Sequence, residues 1–251
     1  MHTVGDAVVR IGPTLAVVVA VLAVFAVAVN YVGQTGQARA AAVATIRAVV
    51  QLAGLAAILG LVVQTFWASS LFIVIMGCVA AWTSAGRVSE SRGTLRNAAR
   101  CLLPVALSTI VIVTAMVAVG VLPATGLAVI PTAGIMFGGA MNTTSLAGRR
   151  AHDEIRTRRG EIDAALSLGL LPRDACLEIC RPAAATALIP GIDQTRSVGL
   201  VTIPGAFVGM VLGGASTTAA AIMQLFVLIS LLAVSAVAMV VTTEMVARDL
   251  L

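Results

Sequence analysis

The sequence contains no lysine, and its sixteen basic residues are all arginines. A P-loop nucleotide site uses a lysine to hold the transferred phosphate, and Schiff-base catalysis also needs a lysine amine. The sequence therefore lacks both kinds of site. If ATP drives the protein, a partner chain binds the ATP and its Mg, and we expect this chain to bind no cofactor.

Charged residues of either sign are scarce as well. They make up 11% of the sequence, and hydrophobic residues make up 59%, whereas roughly a quarter of an average soluble protein is charged. Four uncharged stretches of 28, 39, 48 and 47 residues result. They lie between Arg10 and Arg39, Arg47 and Arg87, Arg100 and Arg149, and Arg196 and Glu244. Since a helix crosses the hydrocarbon core with about 20 residues, these stretches hold about seven crossings.

We therefore predict an all-α, polytopic membrane protein that forms one permease domain over residues 1–251. The fifth span is the least certain to cross the membrane from its composition, because Gly, Thr and Asn lower its hydrophobicity. The first span is expected to be retained. A cleaved signal peptide is the alternative, but the apolar run is longer than a signal core. The predicted spans lie near 12–32, 43–65, 68–86, 101–121, 127–147, 197–214 and 219–242.

The arginines predict how the chain crosses the membrane. Fifteen of the sixteen fall in segments on one side, and only Arg10 falls on the other. Cytoplasmic loops carry the excess of arginine, so we predict an outside N-terminus and an inside C-terminus in the cytoplasmic (plasma) membrane. The net charge of +5 thus reflects topology, and no nucleic-acid partner is expected. The densest cluster marks a long cytoplasmic loop, about 148–196, between spans five and six.

This loop has the pattern of a helix–turn–helix. Mixed charges over 149–163 favour a continuation of span five as a solvated helix. Residues 164–168 then form a short apolar helix, which Gly169 is suited to cap. Pro172 is typical of the first turn of a following helix. An amphipathic connector lying on the membrane surface is the alternative.

The spacing within the loop resembles the E-A-A-x3-G-x9-I-x-L-P pattern of ABC transporter permeases. Here it runs from Asp163 through Gly169 to Ile179 and Pro182, with Asp163 in place of Glu and Arg181 in place of Leu. In that family the loop forms a coupling helix that sits in a cleft of the ATPase subunit. The resemblance implies that the ATPase-coupling residues are Asp163, Ala164, Ala165, Leu166 and Gly169.

Further segments resemble the Fet-type iron-export permease family, which is related to the plant aluminium-sensitivity permeases. The segments are residues 47–52, 129–134, 165–169, 187–190, 193–196, 198–201 and 204–205. The resemblance implies a permease, not an enzyme, of which two copies pair with two separate ATPase subunits. It also implies export of iron or another metal out of the cytoplasm.

The predicted spans offer few groups that would bind a metal. No Asp, Glu or Arg lies at the centre of a predicted span, and the cysteines form no C-x-x-C pair, so the metal ligands stay unknown. An organic or amphiphilic substrate, or a membrane scaffold without a pathway, therefore remains an alternative. Polar residues within the spans either line a transport pathway or form hydrogen bonds between helices. The candidates for the pathway are Gln51, Met141, Asn142 and Thr143.

The start of span six carries two further predictions. Asp193 and Arg196 are three residues apart and predict an ion pair at the cytoplasmic interface, which Arg47 could join. Glycines recur every four residues at 205, 209 and 213, which favours close helix packing within one copy or between two copies. Pro131 and Pro204 are expected to kink or break their helices.

Overall fold

The computed structural model describes residues 12–63, 65–88 and 95–251, in which the regular elements are helices. Arg10, on which the outer side of the predicted topology depends, lies outside the described residues. The chain forms two compact units, residues 1–62 and residues 63–251.

The first unit is a pair of helices, α1 (Pro13–Val32) and α2 (Ala38–Val62). Helix α1 begins at a proline after the extended residue Gly12, which suits the first turn of a helix. Helix α1 carries no charged residue, and α2 carries only Arg39 and Arg47. Both helices are long and apolar enough to cross a membrane.

The second unit contains nine α-helices in its described residues. The helices are α3 (Phe66–Val88), α4 (Leu95–Leu102), α5 (Ser108–Ala118), α6 (Gly126–Thr157), α7 (Arg159–Ser167), α8 (Pro172–Ala185), α9 (Ile189–Ser197), α10 (Gly205–Leu212) and α11 (Thr217–Ala247). A π-helical turn, Leu103–Leu107, joins α4 to α5, and a 3-10 turn, Thr186–Leu188, joins α8 to α9.

Helix α6 lies at the centre of the second unit, packed against α3, α5, α8 and α11. Its side chains Met136, Phe137 and Ala140 are buried in the main core. Small residues allow the close approach: a Cβ at Gly139 would lie 2.2 Å from Leu231 Cδ1, and one at Gly148 would lie 2.8 Å from Val88. Because other helices cover much of α6, its buried Gly and Thr residues are compatible with a membrane position.

Helices α6 and α11 run parallel. Near their C-terminal ends, His152 Nε2 lies 3.0 Å from the carbonyl oxygen of Leu251. Further back along both helices, Gly139 lies against Leu231. Two parallel neighbours need a return segment between them, and helices α8 to α10 supply it.

The return runs antiparallel to α11. It starts where Arg173 Nε lies 2.6 Å from Glu244 Oε1. It reaches Gly191, whose Cβ position is 3.6 Å from Leu232 Cδ2. The return therefore passes along α11 from its charged end into its apolar stretch.

The predicted count of seven spans needs correction, since six helices among the described residues are long and apolar enough to cross a membrane. The predicted fifth span is present as the buried helix α6, which is too polar to be one of the six. The predicted sixth span, 197–214, is helical only over Gly205–Leu212. The six helices are Pro13–Val32, Ala38–Gly60, Trp67–Val88, Leu95–Ala118, Pro172–Ser197 and Thr217–Ala247.

The break in the predicted sixth span has a local cause. Gly199 has φ +80°, and its N–H donates to Thr202 O at 2.9 Å, which closes a turn instead of a helix. Pro204 then precedes α10 in an extended conformation, so it ends this turn. Pro131, by contrast, lies inside α6.

Candidate coupling and transport site

The predicted helix–turn–helix is present between α6 and α8. Helix α6 continues to Thr157, and α7 ends just before a turn in which Gly169 has φ +91°. The N–H of Gly169 donates to Leu166 O at 2.9 Å, and that of Leu170 donates to Ala165 O at 3.2 Å. This is the pattern by which a left-handed residue ends a helix, and glycine adopts it without strain from a Cβ. Helix α8 then begins at Pro172.

The inner face of α7 is held by an apolar cluster. Ile162 is buried with Ala175 and Ile179 of α8, and Ile155 of α6 packs against the group. A displacement of α7 therefore acts directly on α6 and α8.

The outer face of α7 and the following turn is apolar and uncovered in the protomer. Of the predicted coupling residues, Asp163, Ala164 and Gly169 are exposed and Ala165 is half-buried. Leu166 is 37% exposed, and the turn adds Leu168 at 83% and Leu171 at 66%. We call Leu166, Leu168, Leu170 and Leu171 the leucine tip. The motif spacing identified only Leu166, although the run Leu-Gly-Leu-Leu in the sequence signals the rest.

Arg158 fixes the junction between α6 and α7. Its guanidinium donates from Nε to Glu161 Oε1 at 2.6 Å and from Nη1 to Glu154 Oε1 at 3.2 Å. These hydrogen bonds raise the pKa of Arg158 and lower the pKa of Glu161. The junction is thus cross-linked by charge-assisted bonds from one arginine to both helices.

Arg173 and Glu244 form a second anchor that the sequence did not reveal, because 71 residues separate them. Arg173 donates from Nε at 2.6 Å and from Nη2 at 2.8 Å to the two carboxylate oxygens of Glu244. Arg248 Nε donates to the same Oε1 at 2.6 Å. This bidentate pair joins the start of α8 to the end of α11.

A groove of about 1120 Å³ lies beside α7. Basic side chains from α3, α6 and the start of α7 line it, including Arg87, Arg149 and Arg159. Asp163 and Leu166, two of the predicted coupling residues, also line it. The leucine tip is therefore bordered by positive charge, which favours a partner surface with acidic residues.

The pathway candidates of α6 lie where α3 crosses it. Arg87 Nη1 donates to Asn142 Oδ1 at 3.4 Å, and Ser84 Oγ donates to the carbonyl oxygen of Met141 at 3.2 Å. Thr143 is buried. Gln51 lies in α2 of the first unit. The amide of Asn142 thus bonds between helices, and its role in a pathway stays a prediction.

Asp193 and Arg196 form an ion pair on α9, with Nη1 and Oδ1 3.6 Å apart. Both side chains are exposed, at 62% and 77%. Arg47 lies in the first unit. The pair follows Gly191, which lies beside Leu232 of α11.

Metal-binding side chains are dispersed. Among the described residues, no group of three or more His, Cys, Asp or Glu side chains is arranged to hold a metal ion. The four cysteines are free.

Comparison with known proteins identifies membrane-protein relatives of this chain. The match to the rice UPF0014 membrane protein STAR2 is 37% identical over 128 residues, or 51% of this chain and 45% of that protein. The Bacillus subtilis UPF0014 membrane protein YjkA is 29% identical over 171 residues, 68% of this chain and 67% of the relative. The Escherichia coli probable iron export permease protein FetB is 30% identical over 120 residues, 48% of this chain and 46% of FetB.

These matches span about half the length of most of the curated relatives. No solved structure matches the chain. The family described as uncharacterised protein family UPF0014 matches residues 14–251, which contain α2 to α11, all of α1 except Pro13, and the predicted coupling residues. The chain belongs to the UPF0014 family of multi-pass membrane proteins.

Proposed function

We propose that the chain is the permease subunit of an ABC exporter, in which two copies pair with two ATPase subunits. The observation that carries the proposal is the leucine tip, an exposed apolar turn with coupling-type spacing outside the predicted spans. An apolar surface of this kind, bordered by charge, is typical of a protein contact. The sequence contains no lysine for a P-loop, so the proposal assigns ATP and Mg to the partner.

The anchors of α7 suggest how ATPase closure would reach the membrane. The cluster around Ile162 passes a displacement to α6 and α8. The bidentate bond from Arg173 to Glu244 passes it to α11. Since α6 and α11 are packed in parallel, both would tilt together against α3. Opening of a pathway beside Asn142 is the expected consequence.

We propose iron or another metal as the substrate, exported from the cytoplasm. The similarity to FetB, named as a probable iron export permease, supports this choice. The dispersed ligands favour passage of a hydrated or chelated ion. An organic or amphiphilic substrate is the second candidate, because an apolar cavity of about 340 Å³ lies between α3, α5 and α6.

Co-purification with the ATPase chain tests the coupling role. Gly169→Arg is expected to abolish it, because the change adds bulk and charge at the leucine tip and strains a residue with φ +91°. Gly120→Arg is the matched control: Gly120 has φ +77°, open space around its Cβ position, and a place in the turn between α5 and α6. Equal loss of the ATPase in both variants would contradict the proposal, as would its full retention in Gly169→Arg.

Transport in inverted vesicles tests the substrate. Vesicles containing the permease and its ATPase should accumulate Fe²⁺ or Fe³⁺ when ATP is added outside. The Gly169→Arg vesicles should accumulate neither ion. Uptake that is equal for iron and for control metals, with and without ATP, would retire the metal hypothesis.

A further inference from the structure

The groove of about 1120 Å³ beside α7, which we call the basic groove, is lined by four arginines and two aspartates. Asp153 and Arg156 pair with each other at 3.8 Å. Among the ion pairs of the described residues, none involves Arg87, Arg149 or Arg159. Since arginine keeps its positive charge in proteins, the basic groove has an excess of positive charge and space for an anion.

Arg87 and Arg149 each use one guanidinium nitrogen within the protein. Arg149 donates from Nε to Ser145 O at 3.2 Å, and Arg87 donates from Nη1 to Asn142 Oδ1 at 3.4 Å. His152 also lines the basic groove, but each of its ring nitrogens lies within 3.0 Å of a backbone carbonyl oxygen. A guanidinium group has five N–H donors in a planar fork that fits two oxygens of a carboxylate or a phosphate. The two arginines therefore keep donors for an anion.

Both arginines lie where the apolar part of α3 ends. Arg87 is in the last turn of α3, after 39 uncharged residues, and the helix long and apolar enough to cross a membrane ends at Val88. A Cβ at Gly148, the residue before Arg149, would lie 2.8 Å from Val88, so Arg149 lies at the same level. Arginines at the end of a crossing helix reach the headgroup layer. The basic groove thus extends to the level of the lipid phosphates, on the side that the arginine distribution assigns to the cytoplasm.

An anionic phospholipid fits this position better than an acidic protein segment. Basic pockets between membrane helices on the cytoplasmic side bind phospholipid headgroups, and the cytoplasmic leaflet is negatively charged. Ile155 and Leu251 add apolar surface to the basic groove, which suits the glycerol and acyl part of a lipid. An acidic surface of the ATPase would approach at Leu166, which belongs to both the groove and the leucine tip, whereas Arg87 and Arg149 lie at the end of α3.

We propose that the basic groove binds the phosphate of an anionic phospholipid headgroup, with Arg87 and Arg149 as its ligands and Arg159 adding positive charge. Because these residues belong to α3, α6 and α7, the bound phosphate would connect the three helices at the membrane surface. Residues 12–62 contain no Asp or Glu, so α1 and α2 supply no carboxylate that could take the place of the phosphate. This lipid site goes beyond the proposed function and does not depend on an ATPase.

Lipid retention by the purified chain tests the site. In detergent with equal amounts of phosphatidylglycerol and phosphatidylcholine, native mass spectrometry should show that the unsubstituted protein retains mainly phosphatidylglycerol. Both lipids contain a phosphate, but only phosphatidylglycerol has a net negative charge. The double variant Arg87→Gln, Arg149→Gln should bind phosphatidylglycerol about thirtyfold more weakly. Unchanged binding in this variant would overturn the proposal. Equal retention of both lipids by the unsubstituted protein would also overturn it, and that measurement needs no variant to fold.

Arg96 and Arg150 supply the matched control. Arg96 lies on α4, and Arg150 follows Arg149 on α6; neither is among the residues that line the basic groove. The double variant Arg96→Gln, Arg150→Gln removes the same charge from the same predicted side of the membrane. It should bind phosphatidylglycerol as the unsubstituted protein does. A loss as large as that of the groove variant would show a general effect of surface charge and overturn the site.

Two further measurements separate a lipid from other anions. Calorimetric titration of the detergent-solubilised protein with inorganic phosphate is expected to show no binding. Binding as tight as that of phosphatidylglycerol, and lost in the groove variant, would assign the groove to a soluble phosphate and overturn the lipid. The groove variant is also expected to retain its ATPase on co-purification. Loss of the ATPase with unchanged lipid retention would assign the groove to an acidic segment of that partner and overturn the proposal.

Discussion

Glu244 is the one acidic residue between Asp193 and Asp249, and it receives three hydrogen bonds from two arginines. Its isolation in the sequence gives little hint of this role, because Arg173 lies in another helix. The pair is partly exposed, at 43% and 29%, so its contribution to stability is about 1 kcal/mol. Its importance lies in joining α8 to α11.

The variant Glu244→Gln should uncouple the two helices. Because α7 and the leucine tip are unchanged, the ATPase should still co-purify. ATP-driven uptake should fall roughly fivefold, the equivalent of about 1 kcal/mol in coupling. Uptake and co-purification are measured on the same vesicles. Glu178→Gln, at an exposed acid of α8, is the control and should retain uptake; equal loss in both variants would refute the coupling role of Glu244.

Glu161 makes the junction of α6 and α7 dependent on pH. Arg158 lowers its pKa, so the stabilising charge is present above the carboxyl's ordinary pKa and is lost as pH falls through the lowered value. At neutral pH, the backbone amide hydrogens of α7 should exchange with solvent faster in the Glu161→Gln variant than in the unsubstituted protein. The difference should vanish in acid. A difference that is constant with pH would contradict this account.

At the scale of elements, the sequence predicted the helix–turn–helix correctly but predicted the sixth span wrongly, and the two cases differ in what determines the structure. Gly169 and Pro172 act locally, so the helix–turn–helix could be predicted from them. The sixth span could not, because the turn at Gly199 and the packing of Gly191 on Leu232 depend on tertiary contacts. Apolar residues on either side of that turn have the same composition as a continuous span.

Packing around α6 gives a prediction for two glycines of one helix. Gly148→Leu should destabilise the protein by about 1 to 3 kcal/mol, because its Cβ would meet both methyl groups of Val88 at 2.8 Å and a valine has little freedom to move. Gly138→Leu should be tolerated, since nothing lies within 4 Å of its Cβ position.

Thermal unfolding in detergent measures both variants. A lower midpoint is expected for Gly148→Leu only. Equal midpoints would mean that α3 and α6 are not tightly packed where Val88 meets Gly148.

At the scale of the whole molecule, the arginine distribution and the fold lead to the same arrangement. The arginine-rich residues 149–159, the anchor at Arg173 and the charged end of α11 lie at one end of the second unit. The turn between α5 and α6 lies at the other end of α6. Sequence alone predicted the sidedness, because topology follows loop charge. It did not show that α6 and α11 pack against each other, which depends on contacts almost 100 residues apart.

Thiol labelling of intact cells tests this sidedness directly. In a cysteine-free background, Val121→Cys, in the turn after α5, should react with a membrane-impermeant reagent added outside; Val121 is 59% exposed. Leu168→Cys, at the 83% exposed Leu168 of the leucine tip, should react only after the cells are opened. The predicted fifth span, which corresponds to α6, connects the two positions, so the same result at both would contradict either its crossing or the cytoplasmic position of the leucine tip. Reversed labelling would put the tip outside, where no ATPase could reach it.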